Sequence, residues 1–308
     1  MIKTLLSTEL PINENYIIRK NIIRHGDGKK RVCIVTGTHG DELEGQMVCY
    51  LIARQLNEQL ASLDGTVEIY PALNPLGIDT IQRGIPNFDL DMNRIFPGDK
   101  NGTMAEQAAY TIIEDLKGAD LVIDIHSSNL YLRETPQVRI NVLNVKELVP
   151  LAQELGMDFI WIHDAATVLE ATLAHSLNST GTRCLVVEMG VGERINHKMC
   201  NRLKDGIFHL LQSMDMWYGG APTAMLSDAR ICKGDMVAFL NAETSGVFIT
   251  DMKCGVMVRE GQEIGLIVEP LTGSVLSRVV APVDGYLFTI RAYPIVYEGS
   301  LMARIYHQ

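Results

Sequence analysis

The chain has 308 residues, 47% hydrophobic and 21% charged, the proportions of an ordinary globular protein of one large or two ordinary domains. Its 27 basic and 37 acidic residues leave a formal charge of -10, which argues against nonspecific binding to nucleic acid or to an anionic membrane surface. No stretch reaches the roughly 18 apolar residues of a membrane span, the first 15 residues lack the basic start and apolar run of a signal peptide, and the six cysteines show no Cys-x-x-Cys spacing and read as reduced packing residues, so the expected location is cytoplasmic.

In chain order, residues 17–23 predict an edge strand. Residues 32–35 are short, β-branched and almost uniformly apolar, as in a parallel-sheet strand buried on both faces. Gly37 and Gly40 break that run and permit a tight strand-to-helix turn, and a helix is expected over residues 42–60 with Asp41 and Glu42 at its acidic start. Further strands are expected at 67–70, 121–125, 139–143, 159–162 and 184–187, and helices near 104–117, 145–155, 169–178 and 194–216. This alternation predicts an α/β fold, a mixed sheet flanked by helices. It stops at Gly219-Gly220-Ala221-Pro222, which divides the chain into residues 1–220, the chemical part, and residues 221–308, a small all-β part.

The turn after residues 32–35 carries His39 and, three positions on, Glu42, which can converge on one cation. Such a pair also arises by chance in polar loops, and catalytic zinc commonly takes three protein ligands, so a third is needed. The strand at 121–125 ends in His126 followed by Ser127 and Ser128, a placement that mirrors His39. A lone histidine is more often a hydrogen-bonded core or surface residue, but a third strand has the same design: four apolar residues, 184–187, run directly into Glu188. A carboxylate there is costly to bury unless it is paired, coordinated or needed as a base. Ligands of open α/β sheets bind beyond the carboxyl ends of strands, which would gather His39, Glu42, His126 and Glu188 in one crevice. A metal beside a carboxylate of raised pKa suits metal-assisted hydrolysis, in which the carboxylate takes a proton and returns it to the leaving group. Between these segments Arg83 and the loop Asp91-Met92-Asn93-Arg94-Ile95-Phe96-Pro97-Gly98 offer amide and cationic groups. They read either as turn formers, with Arg94 pairing Asp91, or as a clamp for a substrate carboxylate.

With His39-Gly40-Asp41-Glu42, the 91–98 loop, Asp124-Ile125-His126 and Val187-Glu188 in that order, the chain resembles the succinylglutamate desuccinylase and aspartoacylase branch of the zinc carboxypeptidase superfamily over roughly residues 30–215. The resemblance implies one Zn2+ on His39, Glu42 and His126, and Glu188 as general base and acid. It also implies Arg83 polarising the scissile carbonyl, and Asn93 and Arg94 holding a substrate carboxylate. The expected activity is hydrolysis of a small N-acyl amino acid or related amide, with removal of a C-terminal residue from small peptides by a metallocarboxypeptidase as the alternative. The expected partner is a small-molecule substrate, with neither nucleic acid nor membrane; the oligomeric state, a homo-oligomer included, stays open. Some members of the resembled family present an aromatic residue to the substrate; Tyr293 and Tyr297 are candidates for it here, but tyrosines in a β-rich segment are more often packing residues and neither is assigned that role.

After residue 221 the text becomes short apolar runs between glycine turns, and it repeats: Val258 to Gly261 with Ile267 matches Val296 to Gly299 with Ile305, and Ser245 to Phe248 echoes Asp284 to Leu287. Two such halves resemble a biotinyl or lipoyl barrel-sandwich. The hairpin expected between them, residues 268–273, has no lysine to carry such a group. In the resembled family a C-terminal β domain covers part of the active-site mouth, which implies a bias toward small substrates.

Overall fold

The computed structural model describes residues 1–86, 88–164, 170–220 and 229–307. The middle of the 163–172 loop, the first residue of the helix expected at 169–178 and the break at Ala221-Pro222 lie outside the described residues. The elements run β1 Ile2–Leu10, β2 Glu14–His25, β3 Arg31–Thr36, α1 Glu44–Glu58, β4 Gly65–Tyr70, α2 Pro75–Thr80 and α3 Met104–Leu116, then β5 Leu121–Ser127, β6 Leu132–Asn141, α4 Val145–Glu154, β7 Phe159–His163, α5 Leu173–Ser179, β8 Cys184–Gly190 and α6 His197–Ser213. The C-terminal strands are β9 Arg230–Cys232, β10 Val237–Asn241, β11 Gly246–Ile249, β12 Val256–Val258, β13 Glu263–Glu269, β14 Ser274–Val280, β15 Gly285–Arg291, β16 Ile295–Val296 and β17 Leu301–Tyr306.

Thirteen strands form one sheet with the main order β1-β2-β4-β3-β5-β8-β6-β15-β17-β10. β3, β5 and β8 are mutually parallel at its centre, and their side chains divide by parity. Ile34, Ile123, Leu185 and Val187 face one core, closed by Val48 and Ile52 of α1, Leu148 of α4 and Leu203 of α6. Cys33, Val35, Val122 and Cys184 face a second core, closed by Ala108 and Ile112 of α3 and Leu173 and Leu177 of α5. This two-sided burial is why the central strands lack polar alternation. Asp124 and His126 share the parity of Val122, so both lie on the α3/α5 side.

The segment at 17–23 belongs to β2 and is not an edge: β1 pairs outside it over eight registered positions, and β4 inside it. β1 is exposed over most of its length and its apolar residues, Ile2, Leu5, Leu6 and Leu10, follow no period of two, so the sequence carries no strand signal there. The expected strand at 139–143 instead ends at Asn141, whose side chain caps the following turn by accepting from Leu143 N.

In the C-terminal part the repeat is built as an exchange. β12 of the first half pairs with β15 of the second, and β16 of the second pairs with β11 of the first. β14-β13-β11-β16 form a separate four-stranded sheet, and Ile264, Ile267, Leu287 and Ile305 fill the core between the layers. β15 also pairs antiparallel with β6, Thr289 opposite Glu134 and Ile290 opposite Arg133, so the large sheet continues from the α/β part into the β part.

Candidate active site

The sheet order places the ends of β3, β5 and β8 side by side, and the three sequence-predicted strand-end residues follow. Gly37 has φ +69°, a left-handed conformation that glycine adopts without strain, and it turns the chain out of β3. Gly40 then packs directly on Gly77, where an added Cβ would lie 2.0 Å from the carbonyl carbon. The turn between them carries His39 inward; α1 starts only at Glu44, so Glu42 belongs to the turn and not to the helix. His126 is the second-last residue of β5, directly opposite Glu188 of β8 in the parallel register.

His39, Glu42 and His126 are nearly fully buried and their ligating atoms all lie within 4.8 Å of one another. His39 Nδ1 is 2.7 Å from Glu42 Oε1, and His126 Nδ1 is 2.9 Å from Glu42 Oε2. On the far side of each ring, His39 Nε2 lies 3.0 Å from Asp91 Oδ1, and His126 Nε2 lies 3.0 Å from Asp124 Oδ2. The Asp124 contact is a charge pairing without hydrogen-bond alignment, since both of its oxygens lack a hydrogen-bond donor among the described residues. An imidazole whose Nε2 proton faces a carboxylate presents a lone pair at Nδ1. With Nδ1 unprotonated, the two lone pairs and the Glu42 carboxylate form a donor set that fits a cation among them.

The electrostatics agree. Burial would raise the Glu42 carboxyl, but the two imidazoles outweigh it and hold it well below the usual range. Burial would lower both histidines, and here Glu42, with Asp91 beside His39 and Asp124 beside His126, raises them. The carboxylates around the two rings thus favour positive charge at this point. The mixed N, O, N donor set suits zinc among common divalent ions.

The remaining predicted residues gather around this centre. Arg83 Nη1 donates to Glu42 Oε1 at 2.9 Å, and its Nε lies 3.3 Å from Asp91 Oδ2. Arg94 is further from Asp91, at 3.9 Å, and 40% of its side chain is exposed, so the expected local pair is loose. Asn93 uses Oδ1 to accept from Leu173 N at 2.9 Å, holding the start of α5 against the loop. Asn74 is a turn former: its side chain accepts from Gly77 N and donates to Gly84 O. Glu188 is pushed up to about 6, chiefly by burial, against the lowering influence of Arg139. All seven predicted residues line one cavity of about 470 Å3, a size suited to a small molecule.

Sequence reasoning gave Asp91 only a pairing with Arg94, gave Asp124 no role, and missed Glu134, Arg139 and Arg304 in the cavity lining. The available signal for Arg139 was a cation set between the apolar residues Val138 and Ile140. Tyr297 is exposed, at 71%, and Tyr293 is partly so, at 41%. Tyr293 stands edge-on to Tyr131, which lines the cavity.

Residues 28–214 match the model of the succinylglutamate desuccinylase/aspartoacylase catalytic domain. The chain belongs to that family. Within the wider family it is 24% identical over 294 residues to the N-alpha-acetyl-L-2,4-diaminobutyric acid deacetylase of Halomonas elongata, spanning 94% of this chain and 81% of that one. The fold is shared with the succinylglutamate desuccinylase/aspartoacylase of Rhodobacter sphaeroides (TM-score 0.83, 23% identity, 100% and 96% of the two chains). It is also shared with the ectoine utilization protein EutE (DoeB) of Ruegeria pomeroyi, solved with product bound (TM-score 0.80, 20% identity, 98% and 93%).

Proposed function

We propose that this chain is a zinc-dependent deacylase that hydrolyses the amide bond of a small N-acyl amino acid. The observation that carries the reading is the convergence of His39, Glu42, His126 and Glu188 from neighbouring strand ends on one cavity, in a chain of this family. His39, Glu42 and His126 would hold the metal, which when bound supplies Lewis acidity toward water and the substrate carbonyl.

Glu188, at the next strand end, takes the proton from the attacking water and delivers it to the departing amine, a task for which a carboxyl near pH 6 is suited. Arg83, anchored through Nη1 and Nε, directs its remaining donors at the developing oxyanion. Arg94, half in solvent at the cavity wall, takes the substrate carboxylate, with the free amide of Asn93 beside it. Residues 1–220 supply this machinery, and residues 221–308 wall the cavity through Arg304.

A panel of N-acetyl, N-succinyl and N-acetylaspartyl substrates, with N-acetyl-2,4-diaminobutyrate, set against short peptides tests the reading. Metal content is measured on the same protein. Turnover of one or more N-acyl amino acids is expected; turnover confined to peptides would replace the deacylase by a carboxypeptidase.

A further inference from the structure

The cavity is lined by four charged side chains linked in a row, Glu188, Arg139, Glu134 and Arg304. Arg139 places Nη1 3.2 Å from Glu188 Oε1 and Nη2 2.8 Å from Glu134 Oε2. The other oxygen of Glu134, Oε1, takes Arg304 Nη1 at 2.6 Å and the Thr289 hydroxyl at 3.2 Å. Glu134 is 1% exposed, with both of its oxygens engaged, and both guanidiniums lie against the Trp161 ring, at 5.5 and 5.3 Å from its centroid.

The backbone is arranged to make this row. Glu134 and Arg139 are five residues apart in β6, so in a regular strand they would face opposite sides of the sheet. Between Glu134 and Gln137 the register against β8 shifts, three residues on β6 spanning two on β8, and Pro136, which has no N–H to offer a ladder, sits in the shift. The extra residue returns Glu134 to the side of Arg139. Glu134 is then the register partner of Thr289 in β15, and Thr289 that of Arg304 in β17, a straight row across three strands. Arg139 is opposite Val186 and reaches diagonally to Glu188, two residues along β8.

We infer that Glu134, Arg139 and Arg304 form a positioning relay by which the C-terminal strands β15 and β17 fix the orientation of the Glu188 carboxylate. The C-terminal part then does more than narrow the entrance: one of its arginines completes the support of the group that moves the proton. The inference rests on Glu188 being that group. Glu134 pairs with both guanidiniums, and with Glu188 it balances their two positive charges, so Arg139 reaches Glu188 as part of a charge-matched row.

The test compares Arg139→Met, Arg139→Lys, Arg304→Met and Thr289→Val in the full chain at equal metal content. Thr289→Val removes one hydrogen bond and no charge, and covers the case in which an arginine variant does not fold. Arg139→Met and Arg304→Met are expected to lower kcat by about 10- to 100-fold with KM within about twofold, the cost of misplacing a reacting group. Thr289→Val lowers kcat in the same direction by less, and Arg139→Lys recovers part of the loss. In a Glu188→Gln background the same changes cost less than about twofold, because they act through that carboxylate. Crystal structures supply a readout independent of turnover: the Glu188 carboxylate is displaced in Arg139→Met and in Arg304→Met. A raised KM at unchanged kcat would make these arginines substrate contacts and overturn the relay, as would an unmoved Glu188 in Arg139→Met. If the wild type turns over no N-acyl amino acid, the deacylase reading fails, and the position of Glu188 in the two structures still decides the relay.

Discussion

His126 and Glu188 are direct register partners across the parallel strands β5 and β8. Adjacent strands lie about 4.8 Å apart, so the residue proposed to move the proton stands one strand spacing from a proposed metal ligand. That spacing is fixed by backbone hydrogen bonds in the most buried part of the sheet. It places a carboxylate that burial pushes up to about 6 beside a cluster that attracts cations.

The pH dependence follows from that placement. Glu188 works as a base only when ionised, and its folded-state pKa is raised, so the active form is lost as pH falls through about 6. With metal saturating, kcat/KM should rise through an acid limb centred near that value and flatten above it. A Glu188→Gln variant should keep its metal, lose about 10²- to 10⁴-fold in kcat and show no such limb. A pH–rate series on the two proteins decides this, and near-normal turnover by Glu188→Gln would remove the base assignment.

Asp124 is the more revealing position, because its carboxylate faces His126 Nε2, the ring nitrogen turned away from Glu42. Replacing it with Asn leaves all three proposed ligands in place but removes the charge that orders the imidazole. Metal affinity should fall by about 10- to 100-fold, read by competition with a chromophoric chelator. His126→Ala should lose more. Unchanged affinity in Asp124→Asn would mean that Asp124 serves the core and not the metal site.

The site was legible in the sequence where a polar residue ends an apolar strand, because few structures tolerate His126 or Glu188 there without a use for them. The alternation of strand and helix announced a sheet covered on both faces, while the order β3-β5-β8 that sets these ends side by side is a tertiary choice. Arg139 and Glu134 escaped because their cooperation depends on a bulge at Thr135-Pro136, and five-residue spacing in a strand argues against a shared face. Likewise, the repeat in the C-terminal part announced two halves. That β12 pairs with β15 and β11 with β16 is a tertiary choice which local text does not encode.

Gly40 offers a test of the turn that carries His39. A methyl group there would meet the Gly77 carbonyl carbon at 2.0 Å and Gln82 O at 2.5 Å, both backbone atoms with little room to move. Gly40 N also donates to Gln82 O at 3.0 Å, so displacing the turn breaks that bond too. Gly40→Ala should destabilise the fold by about 1–3 kcal/mol and lower metal content at the same time. Urea unfolding with metal analysis measures both; a stable variant with normal metal content would show that the turn yields more easily than its packing indicates.

Far from the site, Lys20 tests what holds the outer strands. Its side chain is 3% exposed, with Nζ 3.0 Å from Glu68 Oε2, 2.6 Å from Asp115 Oδ2 and 3.2 Å from the Tyr70 hydroxyl. Lys20→Met would leave two largely buried carboxylates with less compensation, at a cost of about 3–5 kcal/mol near neutral pH. Burial alone would raise the Glu68 carboxyl, but the Tyr70, Lys20 and Arg31 contacts outweigh it and its pKa is lowered on folding. A depressed carboxyl stabilises the fold above its unfolded pKa, and that stability is lost as pH falls through the folded value. The wild type should therefore lose stability on acidification faster than Lys20→Met, whose carboxylates have less to lose on protonation. The gap between the two unfolding free energies should narrow from pH about 7 to about 3. A gap constant with pH would assign the role of Lys20 to the packing of its aliphatic stem.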